Sequence, residues 1–124
     1  VATAEGRSPV PAAYYKIHVE QGATWRRVLT LKDDDGDPVD LTGFTARMQV
    51  RESQDSPTPL LSLTTGSGIT VDGPAGQLTL LIADETSTAW TWRYGVYDLE
   101  VESAGGEVTR LLRGEIEVDR EVTR

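Results

Sequence analysis

The sequence has no cysteine, and only one histidine, one methionine and one phenylalanine. The missing thiols exclude disulfides, a thiolate nucleophile and Cys-ligated zinc. Positive charge is also scarce. Lys plus Arg number 12 against 20 Asp plus Glu, which gives a net charge of −8. A chain this acidic lacks the basic face that nucleic acid or an anionic membrane requires. No apolar run approaches the roughly 18 residues of a membrane span, and no charged-then-apolar leader opens the sequence. There is no G-x-S-x-G, Walker loop, H-E-x-x-H or Rossmann fingerprint. The expectation is a non-enzymatic protein with no catalytic residue, cofactor or bound metal.

What is present is the punctuation of β-structure. At 124 residues the chain has the length of one compact domain. Tyr15, Ile17 and Val19 alternate with Lys16, His18 and Glu20, a period of two. Gln21-Gly22 breaks that run, and Trp25 to Leu31 follows with Arg27 as the exception on its apolar parity. Asp35-Gly36 supplies a hairpin position within the turn 32–40. Phe44, Ala46, Met48 and Val50 make a half-buried strand with a basic outer row, and Asp40 ahead of Leu41-Thr42-Gly43 makes an Asx-type turn. Leu78, Leu80 and Ile82 share a face, and Asp84 is the expected N-cap of a short turn. Tyr97, Leu99 and Val101 point inward against Asp98, Glu100 and Glu102. Ala104-Gly105-Gly106 then turns the chain into a return strand carrying Val108, Leu112, Ile116 and Val118. Arg110 and Gly114 share that inner parity, and Gly114 marks a bulge or a close backbone approach. The pattern predicts an all-β fold, an antiparallel β-sandwich or partly closed barrel of about seven to nine strands. The domain spans 14–124. Residues 1–13, with Pro9 and Pro11, are either a disordered terminus or an extended arm that orders against a neighbouring subunit.

Each candidate site has a plain structural reading beside it. Asp33 to Asp37 gathers carboxylates, but the sixth and twelfth positions of a calcium loop counted from Asp33 hold Pro38 and Phe44, so it reads as a hairpin tip. His18 stands on a polar parity with no second histidine, which is the pattern of a surface residue. The carboxylates of 98–102 and 115–117 alternate along strand exteriors, where Arg47, Arg51, Arg110 and Arg113 are natural cross-strand partners. Trp90, Trp92 and Tyr94 would share one face if 90–94 were a strand, either as core or as an exposed platform for a protein or a sugar ring. The candidate protein-contact residues are Val1, Pro9, Val10 and Pro11 of the arm, with Tyr14, Trp90, Trp92 and Tyr94.

The stretch Val39-Asp40-Leu41-Thr42-Gly43-Phe44, continuing through Met48 to Arg51, resembles a segment common in small structural proteins of tailed bacteriophages. It is also similar to the N-terminal attachment domain of phage baseplate upper proteins. Glu20 to Trp25, Tyr97 to Glu100, Val108 to Gly114 and Glu121 to Arg124 resemble further pieces of that pattern in the same order. The resemblance implies a virion protein that contacts other virion proteins and copies of itself as a symmetric homo-oligomer. Its implied position is the tail, baseplate or neck, with head decoration as the alternative. The implied means of assembly are edge-strand addition, arm exchange and aromatic anchors. A carbohydrate-binding β-sandwich module is the alternative from a different class.

Overall fold

A computed structural model describes residues 12–123. Nine strands and one short helix follow in chain order: β1 (Ala13–Tyr14), β2 (Ile17–Glu20), β3 (Trp25–Thr30), β4 (Thr45–Arg51), β5 (Leu61–Thr65), β6 (Gly68–Asp72), β7 (Gln77–Ile82), α1 (Asp84–Thr88), β8 (Tyr94–Glu102) and β9 (Val108–Asp119). The period-two alternation decides the faces. In β2, β4, β7 and β8 every second side chain is buried, and the residues between point outward. Ile17, Val19, Met48, Val50, Leu78, Leu80, Leu99 and Ile116 are fully buried and belong to one core cluster.

The fold is all-β, and the strands make one mixed sheet in the order β1-β9-β8-β4-β5-β6-β7-β3, curled into a half-barrel. Purely antiparallel pairing does not describe it. The broken strand β1–β2 runs parallel to β9, and β5 meets β6 in a short parallel contact. The second contact is a corner. Thr64 and Ser67 exchange backbone hydrogen bonds around Thr65-Gly66. Positive φ at Gly66 and Gly68 turns the chain there, which a side chain would resist.

The turns follow the sequence closely. The Asp33 carboxylate accepts the N–H groups of Asp35 and Asp37, so the acidic run folds on itself at the hairpin tip. Asp40 accepts the N–H of Thr42 at 2.9 Å and its hydroxyl at 2.6 Å, the expected Asx turn. At the 103–107 hairpin Ser103 binds both Gly106 and Glu107.

Two expectations are corrected here. Ala83, in an extended conformation, is the N-cap of α1, and no side chain caps the helix. Asp84 is instead its first helical residue, and its carbonyl accepts from the hydroxyls of Ser87 and Thr88. Arg110 is exposed rather than on the inner row. The β8–β9 register slips between Leu99, opposite Leu112, and Glu100, opposite Arg110, so Leu111 is an extra residue. That bulge reverses the parity of the strand before it. Leu111 is buried, while Arg110 and Val108 turn out to solvent.

Gly114 is the close approach. A Cβ built on it would lie 2.3 Å from the carbonyl oxygen of Tyr15. Tyr97, opposite Gly114 in the ladder, donates its hydroxyl to that same carbonyl. Burial holds the Tyr97 hydroxyl well above its ordinary range, so it stays a donor. The gap between β1 and β2 is therefore where the chain is tied down.

Candidate interaction surfaces

The outward rows of the sheet fall into two halves. Across β4, β8, β9 and β2 the strand registers build a chequerboard of charge. Arg47 stands opposite Glu100, which stands opposite Arg110; Gln49, Asp98 and Arg113 form the next row. Arg47 bonds Glu100 at 2.9 Å and Glu102 at 3.3 Å, and Lys16 bonds Glu117 at 3.1 Å. The hydrogen bond to Glu100 raises the Arg47 guanidinium above its ordinary value. The hydrogen bond from Lys16 lowers the Glu117 carboxyl. Asp98 behaves differently. Burial first, then the charge of Glu100, raises its carboxyl, and Arg110 at 3.7 Å offsets only part of this. A shallow groove of about 590 Å³ lies over these strands, lined among others by Tyr14, Arg51, Asp98 and Arg113.

The other half, β5, β6, β7 and β3, presents Ser62, Thr64, Thr70, Gln77, Thr79, Leu81, Val28 and Thr30, with Asp72 and Arg26 as its charges. Val28 is 50% exposed. Among the described residues β3 has a ladder on one side only, with β7. Leu31 gives its N–H to Gly76 on the β7 side, so the alternating backbone groups of Arg26, Val28 and Thr30 face the open edge. Arg27, the expected exception, stands opposite Leu80 on the parity of Trp25 and Leu29, yet it is exposed. Its guanidinium lies over the Tyr15 ring at 4.7 Å, across the seam from β3 to β2. Charged side chains such as Arg26 and Arg27 on an edge strand discourage unspecific strand addition.

The aromatic segment is not a strand, and its rings do not share a face. The Gln21 side chain donates to the Trp90 carbonyl at 2.8 Å and the Ser87 carbonyl at 3.1 Å. The Gln21 oxygen accepts from Glu121 N–H, and Gly22 N–H reaches the Ser87 hydroxyl. These bonds hold residues 89–93 outside any ladder, and β8 begins only at Tyr94. Trp90 is buried in the core, and Trp92 stacks against it with ring centroids 4.5 Å apart. Tyr94 is 63% exposed and Tyr14 58% exposed. Both stand on the charged half, paired in register with Glu117 and Arg113 respectively, four residues apart along β9. The candidate contacts Val1, Pro9, Val10 and Pro11 lie outside the described residues. The sequence showed Gln21 only as a strand break; its bonding role spans 66 to 100 residues of chain and leaves no local signal.

No protein-family model matches the chain, and no curated protein matches it in sequence.

Proposed function

We propose that this chain is a non-enzymatic structural protein of a tailed-phage virion that docks in several copies onto a symmetric tail, baseplate or neck assembly. The observation that carries the reading is the sparsely charged outer half of β5, β6, β7 and β3. Thr64, Thr70 and Val28 are exposed there and Thr79 and Leu81 half-buried, with Arg26 and Asp72 as the charges, in a protein whose other half is crowded with charge. Interface cores are depleted of charge in this way, and a standard interface buries about 800 Å² on each partner. The ordered resemblance to phage attachment domains, from Glu20 through Arg124, supports the same reading. Docking then uses the sparsely charged face. The buried Trp90 and its stacked partner Trp92 strengthen the domain from within and are not the anchors. That packing also favours assembly over a sugar-stacking platform, which needs flat exposed rings.

The test is a side-chain-resolution cryo-EM map of particles carrying this chain. Repeated copies on a tail, baseplate or neck ring, with Thr79 and Val28 covered, are the expected result. Copies over the head lattice would make it a decoration protein instead. A chain found only as a free monomer, absent from every particle, overturns the proposal.

A further inference from the structure

We propose that His18, Glu20 and Asp119 form a surface site for a divalent first-row transition ion, of which zinc is the natural probe. His18 and Glu20 are two residues apart on β2, so both project outward from the same face. The parallel register with β9 sets Glu20 beside Asp119. One imidazole nitrogen and two carboxylate oxygens come within 4.8 Å of one another, and His18 Nε2 lies 3.9 Å from Asp119 Oδ2. Donors about 2.0–2.2 Å from a shared ion stand roughly 3–4 Å apart, so small rotations of exposed side chains close the set. An imidazole with two oxygens and no sulfur selects a borderline ion such as zinc over calcium or magnesium.

The surroundings favour a cation independently. Parallel pairing places two carboxylates side by side, an arrangement that is unfavourable without a counter-charge. The nearest lysine, Lys16, is already bonded to Glu117. A third carboxylate, Glu121, folds against Gly22 just beyond the end of β2. An ion bound here joins β2 to the far end of β9 and leaves its remaining positions to water.

Isothermal titration of the purified chain with Zn²⁺, paired with the absorption spectrum of Co²⁺ as a stand-in, tests this. The expected result is one ion per chain, with affinity at least tenfold weaker in each of His18→Ala, Glu20→Gln and Asp119→Asn. Glu52→Gln, in the 51–56 loop, should bind as the parent does. All four positions are exposed, so circular dichroism melts should match the parent. No binding overturns the site. So does binding that survives His18→Ala, or that falls equally in Glu52→Gln, since either result means unspecific attraction to an acidic surface.

Discussion

The two outer halves of this sheet are built on the same backbone and bury the same kind of core, yet they face solvent in opposite ways. The half made by β4, β8, β9 and β2 answers many of its outward charges with another from a neighbouring strand. The half made by β5, β6, β7 and β3 offers hydroxyls, an amide and aliphatic side chains, with only Arg26 and Asp72 as charges among the outward residues named above. Exposed ion pairs contribute little to stability, so the first half is kept soluble rather than rigid by its charges. The second half carries residues that suit a strand and a dry contact equally well. A sheet that needed only solubility would be charged on both halves.

Predictions that break or sharpen this contrast run from large effects to small. Gly114→Ala should do the most damage, because its Cβ would collide with the Tyr15 carbonyl. The edge that brings Tyr14 and Lys16 to the charged half then loses its seat. We expect a loss of about 2–3 kcal/mol in urea unfolding. Gln21→Leu should cost about 2 kcal/mol by the same measurement, since it strands the carbonyl of Trp90 and the N–H of Glu121, while the Ser87 carbonyl keeps the Trp90 N–H. Thr79→Arg separates folding from docking. The variant should melt with the parent, yet enter particles or self-associate at least tenfold less well. A variant with a new charge on the already charged half, Gln49→Lys, should assemble normally.

The next effect is one of pH. The Asp98 carboxyl is held above its ordinary value of 3.8, so the folded chain keeps that proton to higher pH than the unfolded chain does. Its contribution to stability therefore falls as pH rises from the unfolded value through the raised one. Asp98→Asn should remove that decline from a plot of urea midpoint against pH across the carboxylate range. It should leave the variant at least as stable as the parent at neutral pH. Arg47→Ala comes last. Its guanidinium is exposed and its carboxylate partners are half-exposed, and its melting temperature should be indistinguishable from the parent at physiological salt.

Much of the fold was legible because its signals are local. The alternation in β2, β4 and β8, the Asp35-Gly36 and Gly105-Gly106 turns, and the Asp40–Thr42 turn each act within a few residues. What escaped depends on partners far away in sequence. Nothing near Val108 announces that Leu111 is supernumerary, because the bulge exists only relative to β8. Nothing near Trp90 shows that Gln21 will hold its carbonyl. The sparsely charged half was equally hidden, since Val28, Thr79 and Thr70 become neighbours only once β3, β7 and β6 are laid side by side. His18 looked solitary for the same reason: Asp119 is a hundred residues downstream.

The parallel seating of β1 and β2 against β9 sets an order of events during synthesis. Among the described residues these early strands have their only ladder with β9, near the other end of the described chain. Ile17 and Val19 therefore leave the ribosome before their partner strand exists, and their ladder partners Ile116 and Val118 follow only 99 residues later. Closing so wide a loop costs entropy before any contact repays it, so folding should finish late and comparatively slowly. A pause or truncation before Ile116 would leave a nascent chain with its first hydrophobic strand still seeking a partner.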